Sequence, residues 1–251
     1  MSEPVTAVGT SSHSCEYLQM SRERIDAVAL AGGRTTPGVI RIGDAVHRPA
    51  SSRSAFVAAL LGYLESIHFA GVPRYLGQDS HGRDVFSFLP GEVPSELGFI
   101  PDAQLRRAAG LIRAFHDATI GFEGKGAAEV VCHGDLSPCN CVFQDGSPCG
   151  FIDFDSAAPG SRADDLGYAA WLWLDLGNDE ISAQNQRRRL SLFVDAYGQD
   201  VGDLIPFLLA AQSRLALDPR GAAPMREWAK ASEAWTRRHL AGFAAQNKAS
   251  R

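Results

Sequence analysis

Val131-Cys-His-Gly-Asp-Leu-Ser-Pro-Cys-Asn-Cys-Val-Phe143, followed closely by Gly150-Phe-Ile-Asp-Phe-Asp155, is the stretch on which the reading of this chain turns. Asp135 and Asn140 stand five positions apart in a loop bounded by the apolar segments Val130-Val131 and Cys141-Val142-Phe143. Their side chains offer hard oxygen ligands, which suit Mg²⁺ rather than zinc. Phe151 to Asp155 alternates apolar and acidic residues, and Gln144-Asp-Gly-Ser-Pro148 before it has the composition of a hairpin turn. Such a hairpin returns Asp153 to the side of Asn140. Phosphoryl transfer needs this set: a carboxylate to orient and deprotonate the attacking hydroxyl, and an Asn with an Asp to hold metal on the phosphates. An isolated Asp and Asn at this spacing would read as an Asx-turn. The His-Gly before Asp135 and the second acid at hairpin distance favour the chemical reading.

His133-Gly-Asp-Leu-Ser-Pro-Cys-Asn140 with Phe151-Ile-Asp-Phe-Asp155 resembles the catalytic loop and metal-binding segment of the aminoglycoside phosphotransferase family, small-molecule kinases related to the protein kinases. The resemblance runs from Val28 to Trp173 and fades afterwards. It implies a two-lobed, protein-kinase-like α+β fold, with a small antiparallel β lobe and a larger, mainly helical lobe. It implies Asp135 as catalytic base, Asn140 and Asp153 as Mg²⁺ ligands, and ATP, or GTP, as co-substrate. His133 and Asp165 are then supports of the loop, Asp165 through backbone amides.

Composition sets limits on these expectations. A length of 251 residues predicts one to two domains, and a hydrophobic content of 45% is ample for a core. Net charge is -5, with no basic run longer than Arg187-Arg188-Arg189, which argues against a nucleic-acid partner. Neither a signal-peptide pattern nor an apolar segment long enough to span a bilayer is present, so the expected compartment is the cytoplasm and no membrane partner is implied. Four of the five cysteines (132, 139, 141 and 149) crowd the loop at intervals that do not form a Cys-x-x-Cys pair. They read as reduced thiols used in packing.

Along the chain, residues 1–21 read as a flexible N-terminal arm, 22–89 as the nucleotide-binding lobe, and 90–251 as the lobe carrying the catalytic hairpins and acceptor-binding helices. Ala27–Leu30, Gly38–Ile42 and Ala45–Arg48 predict three strands joined by glycine turns. By the resemblance, Gly32 and Gly33 approach the phosphates. The family's strand lysine is missing, since no lysine precedes Lys125; Arg48 is the substitute, an always-charged, bidentate phosphate partner. Ser54–Ile67 has helical apolar spacing with Ser54 as the expected cap; Glu65 is the one acid on it able to pair with Arg48, but it lies late in the helix and is expected on the surface. Two further strands follow, and Pro90-Gly91 breaks the second. The resemblance implies Ser87, Phe88 and Leu89 as the adenine contact.

Pro101 to Asp117 predicts a Leu-rich helix with a structural His116 near its end. The remainder, with Trp171-Leu-Trp173, Leu190 to Tyr197, Leu204 to Leu217 and Met225 to Phe243, reads as about four helices. From Asp164 to Asp203, eight acids against three arginines give 3 − 8 = −5, which would attract a polycationic acceptor. The expected activity is transfer of the γ-phosphoryl to a small-molecule hydroxyl, most readily on an aminoglycoside or related basic antibiotic. The alternatives are a metabolic kinase for choline, a sugar or an amino alcohol, and a catalytically weak pseudokinase-like protein that binds a nucleotide or antibiotic. The missing lysine favours the last; the intact Asp135, Asn140 and Asp153 set opposes it.

Overall fold

The computed structural model describes the backbone of Ala27–Ala29 and the whole of residues 38–240. The N-terminal arm, Gly32 and Gly33 lie outside the described residues. The fold is two-lobed. Five antiparallel strands form the small lobe in the order β1-β2-β3-β5-β4: β1 (Ala27–Ala29), β2 (Ile40–Ile42), β3 (Ala45–Pro49), β4 (Tyr75–Gln78) and β5 (Arg83–Ser87). Arg48 of β3 sits directly opposite Asp84 of β5.

Between β3 and β4 runs helix α1 (Ser54–Ser66), which buries Val57, Leu60, Leu61 and Leu64 as its spacing predicts. One expectation on it needs correcting, that for Ser54. Ser54 is the first helical residue rather than the cap, because its hydroxyl is drawn to the buried Asp84 instead of a helix amide. Glu65 does not meet Arg48. It lies on the outward side of the helix and pairs with Arg74 at 3.4 Å.

The large lobe is built on α2 (Asp102–Thr119), whose apolar stripe of Leu105, Ala108, Ala109, Ile112 and Phe115 is fully buried. Above it lie short antiparallel pairs: β6 (Val130–Cys132) with β9 (Ala158–Gly160), and β7 (Cys141–Gln144) with β8 (Ser147–Phe151). The β7–β8 hairpin closes through Asp145 and Gly146 at φ of 49° and 70°, the two left-handed positions of a type I′ turn. Four helices complete the lobe: α3 (Arg162–Leu174), α4 (Ala183–Tyr197), α5 (Ile205–Leu217) and α6 (Ala223–His239). One continuous core links both lobes.

The connection between lobes is fixed to the hairpin. After Pro90 and Gly91, Glu92 exchanges two backbone hydrogen bonds with Phe143, at 2.9 and 2.8 Å. The Phe151 amide also donates to Gly71 O, in the small lobe, at 2.9 Å. Among the described residues no helix is long and apolar enough to cross a membrane.

Candidate active site

The loop between β6 and β7 is anchored from below. Asp165, in the first turn of α3, is 2% exposed and receives three donors. Its Oδ2 accepts the His133 amide at 2.8 Å and His116 Nε2–H at 3.0 Å, and its Oδ1 accepts the Gly134 amide at 3.0 Å. Burial alone would raise the Asp165 carboxyl; the bond from His116 and the Gly134 amide hold it below the usual carboxylate range. Behind His116 the chain of contacts continues. Tyr197 Oη lies 2.8 Å from His116 Nδ1 and accepts from Arg162 Nη1 at 3.2 Å. His116 is thus a structural brace set on α2.

His133 itself points inward, completely buried among Phe115, Phe151 and Phe154. Its Nδ1 accepts the Asp135 amide at 3.3 Å, and its Nε2–H donates to Ile152 O at 3.0 Å. This tautomer uses both nitrogens of a neutral ring, and burial pushes the imidazole pKa down, which keeps it neutral. One side chain therefore ties the Asp135 loop to the residue preceding Asp153. Gly134 is required between them: its φ is +80°, and a Cβ there would meet Ser156 O at 2.5 Å.

The anchored loop presents Asp135. Asn140 Nδ2 donates to its Oδ2 at 2.8 Å and to its backbone carbonyl at 3.0 Å. Its Oδ1 accepts the hydroxyl of Tyr168 at 2.7 Å. Tyr168, partly buried on α3, has no role in the sequence reading, which assigns only Asp165 on this helix to the site. The signal was present in the spacing, because positions three apart share a helix face.

Asp153 differs from its expected setting. β8 ends at Phe151, and Asp153 adopts a left-handed backbone with φ of 65°, opening a short turn over Phe154–Ser156. A continuing strand would put Asp153 and Asp155 on one face; instead the turn carries them, and both still reach the Arg48 guanidinium. The Ile152 amide still bonds Asn140 O at 2.9 Å, so the two segments remain adjacent. Asn140 and Asp153 both line a cavity of about 370 Å³ between the lobes, together with Val46, Arg48, Ser87 and Leu89.

Arg48 crosses that cavity. Its Nη1 donates to Asp153 Oδ1 at 3.1 Å and its Nη2 to Asp155 Oδ2. Burial, with the charges of Asp153 and Asp84 nearby, pushes the Asp155 carboxyl above its usual range despite Arg48. At the far wall, the Ser87 amide donates to Arg74 O and the Phe88 amide to Asp44 O. Of the three residues expected at an adenine edge, Leu89 is the one whose amide is not engaged with another described residue.

The donor set can be tested against Mg²⁺. Asn140, with its amide nitrogen turned toward Asp135, keeps its oxygen for a hard cation, and Asp153 adds a carboxylate. Among the described residues no group of three His, Cys, Asp or Glu side chains makes a ready metal cage. Two protein oxygens fit an ion that draws its other ligands from phosphate and water. Cys132 and Cys141 are buried, and burial pushes the Cys141 thiol up to about 12. Cys139 lines the cavity.

The acids between Asp164 and Asp203 also have structural partners. Asp164 accepts the Ser161 hydroxyl, Asp165 braces the loop, Asp175 accepts Asn178, and Asp200 and Asp203 each accept a nearby backbone amide. These five carboxylates hold structure and keep their charge.

A small antiparallel sheet with one helix, joined to a helical lobe that carries an anchored His-Gly-Asp loop and a second acid across the cleft, defines the protein-kinase-like phosphotransferases. A family profile described as the phosphotransferase enzyme family matches residues 122–204. The trifolitoxin immunity protein of Rhizobium leguminosarum bv. trifolii is 33% identical over 198 residues, covering 69% of this chain and 74% of that protein. The chain belongs to the phosphotransferase enzyme family. Solved structures of similar fold include the GDP complex of aminoglycoside 2'-phosphotransferase-IIIa, at a TM-score of 0.54 and 17% identity over 88% of this chain and 93% of that one. The microcompartment-associated aminopropanol kinase has a TM-score of 0.57 and 14% identity over 82% and 89%. A choline/ethanolamine kinase family protein of Mesorhizobium loti has 0.54 and 14% over 92% and 96%.

Proposed function

We propose that this enzyme transfers the γ-phosphoryl of ATP, or GTP, to a hydroxyl of a small-molecule toxin or antibiotic. The observation that carries the reading is the Asp135 carboxylate, held by Asn140 and Tyr168 on an anchored loop beside the cavity lined by Asn140, Asp153 and Arg48. The similarity to a toxin immunity protein supports a protective role. Residues 22–89 form the nucleotide side of the enzyme, residues 90–251 the catalytic and acceptor side, and it works in the cytoplasm, where nucleoside triphosphates are plentiful.

In this mechanism Asp135 accepts a hydrogen bond from the acceptor hydroxyl and takes its proton as the oxygen attacks phosphorus. Positioning dominates, since little other covalent chemistry is left to the protein. Asn140 and Asp153 would hold Mg²⁺, which neutralises charge on the phosphates. Arg48 steadies the phosphates from the small lobe, and the Leu89 backbone meets the base. His133 and Asp165 keep the loop in place.

A metabolic kinase for an amino alcohol or sugar is the second reading. It is supported by the similarity in fold to an aminopropanol kinase and to a choline/ethanolamine kinase family protein.

The test is coupled ADP release with Mg-ATP and Mg-GTP against aminoglycosides, peptide antibiotics, macrolides, choline, amino alcohols and sugars. Acceptor-dependent turnover that falls by at least ~10²-fold in Asp135→Asn is the expected result. Nucleotide binding with no turnover on any acceptor would sink the kinase reading in favour of a binding protein.

A further inference from the structure

We propose that Tyr168 is a positioning residue for the Asp135 carboxylate, one jaw of a clamp whose other jaw is Asn140; the inference rests on Asp135 being the group that receives the acceptor hydroxyl. The two donors grip different oxygens, Tyr168 Oη on Oδ1 at 2.7 Å and Asn140 Nδ2 on Oδ2 at 2.8 Å. The terminal torsion of an aspartate is otherwise broad. Any rotation of this carboxylate about that torsion breaks both bonds. Each oxygen accepts up to two hydrogen bonds, so the clamp still leaves a lone pair for the incoming hydroxyl.

The phenol is itself fixed. Its ring stands edge-on to Trp171, with centroids 6.3 Å apart, and Trp171 stacks on Trp228 of α6 at 4.5 Å. Tyr168 also follows Asp165 by three positions on α3, so it shares a helix face with the residue that holds the His133 and Gly134 amides. A single helix thus sets both the backbone of the loop and the plane of its carboxylate. Burial, followed by the Asp135 charge, pushes the phenol far above its ordinary range. The group remains a donor and takes no part as a base.

The test compares Tyr168→Phe with wild type and Asp135→Asn. It measures Mg-ATP hydrolysis without acceptor and turnover on any acceptor that responds. Loss of one hydrogen bond to a charged group should lower kcat about 10–100-fold, with the KM for ATP unchanged and the melting temperature lowered by at most about 10 °C. Wild-type kcat in Tyr168→Phe beside an inactive Asp135→Asn overturns the clamp. Full activity in both variants overturns the role of Asp135 beneath it. A second measurement needs neither turnover nor a folded Tyr168 variant. Proton NMR of the wild-type chain should show a low-field tyrosine hydroxyl that is lost in Asp135→Asn; a hydroxyl signal identical in the two proteins overturns the proposal.

Discussion

Arg48 and Asp153, 105 residues apart, meet across the cleft with Nη1 donating to Oδ1 at 3.1 Å, while the second arm of the same guanidinium holds Asp155. The fork places one cation between two acids, as a lysine ammonium would not with the same geometry. Arg48→Ala leaves those acids facing each other and should lower the melting temperature. Because a divalent cation can replace the lost charge, Mg²⁺ without nucleotide should raise the melting temperature of the variant more than that of wild type. Equal shifts in differential scanning fluorimetry would show that Arg48 and the cation do not share these oxygens.

Asp165→Asn should be among the most damaging single changes. It removes the charge from a buried pair and upsets the two loop amides, a loss of about 3–5 kcal/mol. At this chain length that lowers the melting temperature by about 10 °C. Its carboxyl is held below the usual range, so its contribution is complete above the unfolded value near ~4 and is lost as pH falls through the lower folded value. The gap between wild type and variant is therefore widest at neutral pH and narrows below about pH 4, which thermal melts across a pH series would reveal.

His133 brings a dependence at higher pH. Its folded pKa is pushed down by burial, so the unfolded chain takes up the proton first as pH falls. Stability present above the unfolded value of ~6.5 is lost progressively below it. Wild type should lose melting temperature between about pH 7 and 5 more steeply than His133→Gln, whose amide can still donate to Ile152 O. Parallel profiles would mean that the buried ring does not titrate with unfolding.

Gly134→Ala combines a left-handed backbone with a collision on Ser156 O. The backbone term alone costs about 1–2 kcal/mol. Urea denaturation should show a lower midpoint at unchanged slope. A midpoint within error of wild type would mean that the loop shifts without cost.

Much of the site was legible because it is local. The bonds from Asn140 back to Asp135 and the Asp145-Gly146 turn close within a few residues, and the stripe on α2 follows from its period. What escaped depends on distant partners. Nothing near Arg48 in sequence announces Asp153 and Asp155, and Glu65, the acid on the expected helix, points elsewhere. Ser54 reads as a cap until Asp84 competes for its hydroxyl.

The separations within the site also order its assembly. The bond from the His133 amide to Asp165 closes 32 residues, whereas Arg48 to Asp153 closes 105. Loop-closure entropy makes the longer contact costlier by about 1 kcal/mol. The β6–β9 and β7–β8 pairs and their α3 anchor can therefore nucleate as a unit during folding, and the arginine of the small lobe docks onto a half-site already in place.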